Sequence, residues 1–383
     1  MKILMTTSFY PPFHIGGDAI HVKYLAEELV KAGHEVHVLH SMDAYNFKRK
    51  ENRTPQKSRV IVHTMKSPIG KLEPILNYCF GTQKYTMNFF KNLVEKEKFD
   101  VVHHHNISLL GYDILKKIGN YTNLYTAHDY WLVCHKYDLT RNDKLCIKKE
   151  CFSCCLKQRK IYQLFRHLNN FRECLDDIDT IIAPSEFMAE VLRNEFKNVK
   201  VINNFIPEYN IKANLEKTED YFIYAGVLTK LKGIINLSKV FSEIDKVLMI
   251  AGTGELENYL RELKLKNVKL LGFIPHNELF PLIISAKALI IPSVWPENNP
   301  LIALESLSLG TPVIGSDAGG IPEIVGKVDE NLIFDKNKPD ELKNIIANFD
   351  AGKYPKETIK KIYEDNFSKE NFLKKYNKLL VKK

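Results

Sequence analysis

The 383-residue sequence has no apolar run near the ~20 residues that a membrane-spanning helix needs. Its opening residues, MKILMTTSFYPPF, form a short apolar run broken by two prolines, without the long apolar core or cleavage site of a secretory signal. Zinc-finger, helix-turn-helix and aromatic-stacking patterns are also missing, which argues against nucleic acid as a partner. These absences predict a cytoplasmic protein.

The charge balance is basic, with a formal net charge of +9. Local runs rich in lysine and arginine include residues 48–59 and 157–172. Such runs attract phosphates or anionic lipid headgroups, so peripheral contact with the inner face of a membrane is one interpretation. A lysine-rich surface that is simply solvated is the other.

Strand-like apolar segments alternate with helical segments along the whole chain. This alternation predicts an α/β protein with mainly parallel sheets covered on both faces. The length suits two domains, and the polar stretch 206–220 is interpreted as the linker between them. We therefore predict Rossmann-like domains at 1–205 and 206–367 with a ligand cleft between them. The closing segment, 368–383, is predicted to be helical and is a candidate to pack back on the first domain. The predicted strands are KILMTT (2–7), HEVHVLH (34–40), DVVHHH (100–105), NLYTAH (123–128), TIIAPS (180–185), NVKVINN (198–204), YFIYAG (221–226), KVLMIAG (246–252), NVKLLG (267–272), ALIIPS (288–293), TPVIGS (311–316) and NLIF (331–334).

A loop with two glycines, YPPFHIGG (10–17), follows the first strand and precedes a helix predicted near 17–33. Gly16 and Gly17 let a ligand approach the main chain, and the helix start offers unpaired N–H groups to an anion. A tight turn without a ligand is the alternative. The dinucleotide fingerprint GxGxxG is absent.

A second candidate anion site lies in WPENNPLIALE, 295–305. Pro300 suits the first turn of a helix, which would aim the N–H groups of Asn298, Asn299 and Leu301 at a bound anion. Glu297 lies in the loop and Glu305 on the second turn. With a pyrophosphate at the helix start, one carboxylate is placed near a sugar and the other near a ribose. Solvated, unrelated glutamates are the alternative.

These residues carry a resemblance to a known family. ENNPLIALE fits the E-x7-E motif of the retaining glycosyltransferases of family 4, which have the two-domain GT-B fold. The resemblance covers essentially the whole chain, through GG and GHEV, DVVHHH, APSE, AGVLTKLKG, IAGTGEL, LLGFIP and SLGTPVIGSDAGGIPEIV. It implies transfer of a sugar from a UDP-, GDP- or ADP-linked donor to a hydroxyl acceptor, with retention at the anomeric carbon. The acceptor would be a glycan, a lipid-linked sugar or a small molecule. The reaction would belong to the synthesis of a cell-surface polysaccharide or glycolipid.

The resemblance also implies roles for individual residues on the donor side. Glu305 would accept hydrogen bonds from the ribose, and Glu297 would bind the sugar or stabilise positive charge at the reacting carbon. Lys232 matches the family's diphosphate-binding lysine. The arginine that the family carries after its glycine is replaced by Val227, and Lys230 would substitute as a point charge without bidentate contacts. No metal is expected at the catalytic step.

Histidines mark the opposite side of the expected cleft. His105 matches the second histidine of the family pattern D-V-V-H-x-H, which reaches the donor sugar or the reacting centre. His103 and His104 precede it, but neighbouring strand residues point to opposite faces, so the three would not chelate one metal. His128, in TAHD, ends a strand and is predicted either on the acceptor side or in a structural role. Asp177-x-Asp179 precedes a strand and is not interpreted as a metal-binding DxD.

Five cysteines fall between residues 134 and 155. Cys134, Cys146, Cys151 and Cys154 have a spacing that suits a structural zinc site, with Cys155 as an alternative fourth ligand. An iron–sulfur cluster or a set of reduced thiols are the other interpretations. Disulfides are disfavoured in the cytosol.

Two rival functions remain at this point. A catalytically silent sugar-nucleotide-binding subunit is the first, and Val227 is its only support. A glycosidase is the second, because paired carboxylates perform that chemistry. The glutamates here flank an anion site, which favours a phosphate-bearing donor.

Overall fold

The computed structural model describes residues 1–48, 58–141, 144–146, 149–209 and 220–380. Most of the basic run 48–59 and of the predicted linker 206–220 therefore lies outside the described residues.

The described residues form fifteen strands, arranged in two parallel sheets and one short antiparallel pair. The first sheet has the order β3-β2-β1-β4-β5-β8-β9, and the second has the order β12-β11-β10-β13-β14-β15. The small pair joins β6 to β7. The strands are β1 (Lys2–Thr6), β2 (Glu35–Ser41), β3 (Ile61–Met65), β4 (Val101–His104), β5 (Thr122–Thr126), β6 (Thr140–Arg141), β7 (Lys144–Leu145), β8 (Thr180–Ala183), β9 (Val199–Val201), β10 (Tyr221–Ala225), β11 (Val247–Ala251), β12 (Val268–Gly272), β13 (Leu289–Ile291), β14 (Val313–Ser316) and β15 (Ile333–Phe334).

Helices connect the parallel strands, as parallel pairing requires. The first of them places apolar side chains at Val22, Leu25, Ala26 and Leu29 against the sheet, at the spacing of one helical face. The helices are α1 (Gly17–Lys31), α2 (Met42–Lys48), α3 (Leu72–Phe80), α4 (Lys84–Glu97), α5 (Cys151–Lys157), α6 (Asn169–Asp176), α7 (Glu186–Arg193), α8 (Ile234–Ser242), α9 (Glu257–Glu262), α10 (His276–Ser285), α11 (Leu301–Ser308), α12 (Ile321–Val325), α13 (Pro339–Ala347), α14 (Lys356–Phe367) and α15 (Lys369–Leu380).

The α/β fold predicted from the alternating pattern is confirmed, and every strand predicted above is present. Most have shorter ends, whereas β2 extends one residue further, to Ser41, and β5 begins one residue earlier, at Thr122. The residues of the inner strands are almost continuously buried, as expected for parallel strands covered on both faces, whereas β9 and β12 at the sheet edges are more exposed. The edge strand β3 and the β6–β7 pair were not predicted. β3 exposes Ile61 and Val62 at the sheet edge, so its burial does not follow the pattern of the inner strands.

The order of strands reverses once in each sheet, and this determines where loops converge. In the first sheet β1 and β4 are neighbours, although the chain visits β2 and β3 between them. In the second sheet β10 and β13 are neighbours in the same way. The loops that leave such a pair turn to opposite sides and open a crevice at the carboxyl ends of the strands.

The chain passes between the two halves twice. Phe205 packs in the core of the first sheet, whereas the next residue, Ile206, packs in the core of the second. Later, Phe367 belongs to the second core and Phe372 to the first. Tyr363 ties the two passages together, since its hydroxyl donates to the carbonyl of Ile206 at 3.2 Å. Helix α15 thus lies against the first sheet.

No helix in the described part of the chain is both long enough and apolar enough to cross a membrane.

Candidate functional site

The loops after β10 and β13 bring a lysine and a glutamate into contact. Lys232 ends a short 3-10 turn, and its Nζ lies 2.5 Å from Oε1 of Glu297. The hydroxyl of Ser293 donates to the same carboxylate oxygen at 2.8 Å. The Lys232 ammonium also lies 5.5 Å from the centre of the Trp295 ring. The Glu297 residue is only 6% exposed, so this carboxylate is buried and paired rather than solvated.

The loop that carries Glu297 is held by the glycines that follow β14. Gly319 has a φ of +64°, and a Cβ at this position would lie 2.2 Å from the carbonyl oxygen of Glu297. The N–H of Gly320 donates to that same carbonyl at 2.6 Å. Only glycine fits so close an approach with a positive φ. The position of Glu297 is therefore determined by the sequence DAGG as well as by its own loop.

Helix α11 begins at Leu301, with Pro300 as its N-cap. Glu305 lies on the second turn, where the sequence placed it, and is 3% exposed. Burial raises the pKa of Glu305 to about 7. Burial, and then the nearby Glu305, raises the pKa of Tyr209, whose hydroxyl lies 2.8 Å from that of Tyr24 on α1. Glu305 is thus surrounded by groups from both halves of the chain.

Asn298 and Asn299 lie before the helix and join the two halves through their side chains. The amide of Asn298 donates to the carbonyl of His128 at 2.5 Å. Asn299 accepts from the N–H of Asn204 at 3.0 Å through its side-chain oxygen, and its carbonyl accepts from the side chain of Asn204 at 3.0 Å. The sequence indicated only main-chain donors here. A bridging role is visible only once the opposite half is in place.

The glycine loop after β1 faces this helix. Gly16 is the N-cap of α1 with a φ of +86°, and a Cβ on Gly17 would lie 3.6 Å from a methyl group of Leu301. The two predicted anion sites therefore lie opposite each other across the cleft. Asp18, on the first turn of α1, accepts a hydrogen bond from the side chain of Asn106 at 2.8 Å. Gly16 and Gly17 allow a ligand to approach the main chain closely at this point.

The histidines at the carboxyl end of the first sheet form a buried pair. Nδ1 of His105 lies 2.9 Å from Nε2 of His128, while Nε2 of His105 is buried without a partner among the described residues. Burial, and then the neighbouring His103, holds the pKa of His105 well below its usual range. Burial lowers the pKa of His128 to about 4. Both rings are therefore neutral at neutral pH, and an unpaired ring nitrogen is one that a ligand can satisfy.

The other two histidines of the run have structural partners. His103 bonds with the hydroxyls of Tyr376 and Thr126, each at 2.8 Å. His104 bonds with Thr6 at 2.8 Å. The rings of His103 and His105 lie 4.0 Å apart, while His104 contacts Thr6 instead, in agreement with the alternation expected of a strand.

Three residues near this site were missed at the sequence level. His21, on α1, is buried with Nδ1 unpartnered among the described residues, and its ring lies 5.3 Å from that of His128. Burial raises the pKa of Asp129 to about 7. Tyr130 donates its hydroxyl to the carbonyl of Pro296 at 3.2 Å, which places it beside Glu297. Asp129 and Tyr130 directly follow His128, so the motif TAHDY was the available signal.

Val227 and Lys230 occupy the rim of the donor side. Val227 is exposed, and its carbonyl accepts a hydrogen bond from Tyr224 at 2.9 Å. Lys230 is also exposed, at the start of the turn that carries Lys232. Asp177 and Asp179 lie elsewhere, where they accept hydrogen bonds from backbone N–H groups at the start of β5 and before it.

The cysteines of the segment 134–155 lie near one another, and none of the seven forms a disulfide. Burial raises the pKa of Cys146 and Cys151, and neighbouring thiols add to both shifts. Within the described residues, however, the one group of three ligand atoms within 4.8 Å of each other is Glu35, His37 and Glu97. Lys2 already contacts both of those glutamates. As placed, the thiols do not close a tetrahedral site, and the zinc site stays a prediction.

Comparison with known proteins agrees with this geometry. The family model described as Glycosyltransferase Family 4 matches residues 15–208, and the model described as Glycosyl transferases group 1 matches residues 205–365. An uncharacterised glycosyltransferase of Methanocaldococcus jannaschii is 27% identical over 98% of this chain and 96% of its own length.

Solved structures show the same fold. Sucrose-phosphate synthase from Thermosynechococcus elongatus matches with a TM-score of 0.73 at 18% identity, covering 99% of this chain and 98% of its own. HepE from Anabaena, solved in complex with UDP, matches with a TM-score of 0.63 at 18% identity and covers 99% of both chains. The match of both family models along the chain, with a paired Lys232 and Glu297 at the cleft, makes it a member of the group 1, family 4 glycosyltransferases, a hexosyltransferase-type enzyme with the GT-B fold.

Proposed function

We propose that this glycosyltransferase moves a sugar from a nucleotide-sugar donor to a hydroxyl acceptor with retention of configuration at the anomeric carbon. The observation that carries the proposal is the contact between Lys232 and Glu297 beside the start of α11. A cation and a helix start together suit a diphosphate, and the carboxylate lies where the attached sugar would follow.

The donor would extend from this point in two directions. Its diphosphate would accept hydrogen bonds from the Lys232 ammonium and from the N–H groups at the start of α11. The ribose would lie toward Glu305, whose carboxylate can accept two hydroxyl hydrogen bonds. The sugar would lie between Glu297 and the unpaired Nε2 of His105. The bound UDP in HepE, a protein of the same fold, supports a nucleotide in this cleft.

The reaction breaks the bond between the anomeric carbon and the diphosphate oxygen, and forms a bond from that carbon to the acceptor oxygen on the same face. The acceptor hydroxyl loses its proton to the departing diphosphate. Lys232 and the helix start stabilise the charge that develops on this leaving group. These groups supply the stabilisation without a metal ion at the catalytic step.

The acceptor would approach from the first sheet, beside His128, Asp129 and Tyr130. We infer a sugar-bearing acceptor, either a glycan or a lipid-linked sugar, in the synthesis of a cell-surface polysaccharide or glycolipid. Support comes from the acceptor-side loop itself, which offers hydroxyl-binding groups on residues whose burial keeps water away.

The proposal is tested by two measurements on the purified protein. A thermal-shift series with UDP-, GDP- and ADP-hexoses identifies the donor, because a ligand that binds only the native state raises the melting temperature. The donor found is then incubated with lipid and glycan acceptor fractions, and NMR of the product gives the anomeric configuration. A product of inverted configuration would remove the retaining assignment.

The same assays separate the enzyme from a catalytically silent binding subunit. Val227, exposed in place of the family arginine, is the feature that favours the silent alternative. A silent subunit shows the thermal shift but consumes no donor with any acceptor fraction, whereas the enzyme consumes donor in an acceptor-dependent way.

A further inference from the structure

One face of the first half exposes an unusual number of large apolar side chains. Helix α5 places Phe152 and Leu156 one turn apart on its outer side, at 65% and 71% exposed, while Cys154 and Cys155 on its inner side are buried. The segment that follows exposes Ile161, Leu164 and Leu168, and the end of α3 exposes Phe80. We call these six residues the apolar patch.

The segments that carry the apolar patch are in contact, so its members share one region of the surface. The ring of Phe152 packs edge-on against Tyr162 at 5.4 Å. The side chain of Gln163 donates to the carbonyl of Tyr78 on α3 at 3.0 Å. Burial of this apolar surface would remove about 25 cal/mol of unfavourable hydration per Å², so a partner is favoured.

The charge within the segment that carries most of the apolar patch has one sign, although the exposed Glu150 and Glu173 stand at its two ends. Residues 151–172 contain five lysines and arginines and no aspartate or glutamate. Lys157, Arg159, Lys160 and Arg172 are exposed. The second half of the chain differs, because among its described residues only Val227, Leu263 and Phe273 are large, apolar and exposed. Apolar side chains interspersed with an excess of cations are suited to an anionic bilayer, which is apolar in its interior and negatively charged at its surface.

The apolar patch is also fixed in place from behind. The guanidinium of Arg166 lies over the rings of Trp131, Phe165 and Phe171 at 5.2 to 5.7 Å. A rigid support of this kind keeps the exposed side chains outside the core and available to a partner.

A short stretch of chain links this face to the catalytic cleft. His128 bonds with His105 at the cleft, and His135 stacks on Tyr162 at 4.5 Å beside the apolar patch. The seven residues from one histidine to the other span at most ~25 Å when fully extended. A bilayer that contacts the apolar patch is therefore within reach of the acceptor side of the cleft.

We propose that the apolar patch and its basic border dock the protein on an anionic lipid bilayer, and that the acceptor is a lipid-linked sugar presented at that surface. The second clause rests on the proposed function, whereas docking itself does not.

Co-sedimentation with vesicles tests the docking. The wild-type chain is expected to bind vesicles of phosphatidylcholine with 30% phosphatidylglycerol, to bind pure phosphatidylcholine much more weakly, and to be released by high salt. The pair Leu156→Ser and Leu164→Ser should weaken binding tenfold or more. The pair Lys157→Glu and Lys160→Glu should weaken it by at least about 25-fold, because each lysine near an anionic surface contributes about fivefold.

Matched controls lie in the second half. Leu263→Ser, at a leucine that is 36% exposed, and the pair Lys239→Glu with Lys266→Glu change exposed residues of the same types and should leave vesicle binding unchanged. All variants should keep the wild-type melting temperature and the same thermal shift with donor, since none lies in the cleft.

Three outcomes would overturn the docking proposal. In the first, the wild-type chain does not bind anionic vesicles; in the second, it binds them but the patch variants bind equally well. In the third, analytical ultracentrifugation shows a dimer that the patch variants abolish, and no protein binds lipid. A donor-dependent thermal shift without vesicle binding would retain the proposed function and reject docking. Vesicle binding without donor consumption would retain docking and reject the proposed function. If transfer occurs equally to a water-soluble glycan and to the lipid fraction, the lipid-linked acceptor is rejected while docking stands.

Discussion

Nζ of Lys232 and Oε1 of Glu297 lie 2.5 Å apart, so the cation and the anion that would meet opposite parts of the donor neutralise each other before it binds. A bound diphosphate would draw the ammonium toward itself and leave the carboxylate to the sugar. Binding and activation of the donor would in this way be coupled through one ion pair.

Replacement of Lys232 tests the diphosphate side of this pair. Lys232→Ala should weaken binding of the free nucleoside diphosphate by about 1.5–3 kcal/mol, the range of a hydrogen bond to a charged group. Lys230→Ala is the matched control, since Lys230 lies in the same turn but is exposed, and its effect should be smaller. Isothermal titration measures both. An unchanged affinity in Lys232→Ala would place the diphosphate elsewhere.

Replacement of Glu297 tests the sugar side. Glu297→Gln keeps the size of the side chain and its hydrogen bond from Ser293 but removes the charge. Nucleoside diphosphate affinity should change little, while turnover should fall ~100-fold or more, the scale of one electrostatic contact made in the transition state. Steady-state kinetics with the identified donor checks the separation. Normal turnover would remove Glu297 from the chemistry.

The buried His105–His128 pair predicts a positioning effect. His128→Ala removes the group that holds Nδ1 of His105, so the His105 ring loses its fixed orientation. We expect kcat to fall with little change in donor affinity. His128→Gln, which retains a hydrogen-bonding side chain, should recover part of the activity. Equal loss in both variants would contradict a positioning role.

Burial of Glu305 predicts a pH-dependent stability with a definite sign. Its pKa is raised from 4.5 to about 7 in the folded protein, so the folded state holds a proton that the unfolded state has lost between these values. Stability should therefore fall as the pH rises from about 4.5 to 7, by at most about 1.4 kcal/mol per pH unit, and then level off. Glu305→Gln should lose this dependence. Urea titrations of both proteins from pH 5 to pH 8 measure it, and parallel curves would contradict the assignment.

The cysteine segment predicts a metal content. Protein purified without chelator should contain about one zinc per chain, or iron with a brown colour if a cluster is present. Cys151→Ser should lose the metal and make residues 134–155 more sensitive to protease, whereas Cys79→Ser, outside the segment, should do neither. Metal-free protein with full activity would leave reduced thiols as the answer.

Local sequence was sufficient to predict the donor side of the fold. The positions of Pro300 and Glu305 were predictable because a proline marks the start of their helix, and that of Lys232 because it lies in a turn that contains a glycine. Each position depends only on residues close in the chain. The acceptor side was less predictable. The contact between Asn298 and the carbonyl of His128 joins residues far apart in sequence, and only the packing of the two halves creates it. The roles assigned to these residues stay predictions.

The two passages of the chain between the sheets have a mechanical consequence. They lie side by side and are joined by the hydrogen bond of Tyr363 to Ile206, by the packing of Phe205 on Phe372 at 4.7 Å and by the ion pair of Lys369 with Glu208 at 2.8 Å. Two connections at nearly the same place permit the two halves to rotate about it but resist sliding of one half past the other, which is a hinge motion. Close to this hinge, Asn204 and Asn299 would keep their contact as the two halves rotate. The outer edges of the cleft lie farthest from the hinge and would move the greatest distance. Their separation would therefore set the width of the opening through which donor and acceptor enter.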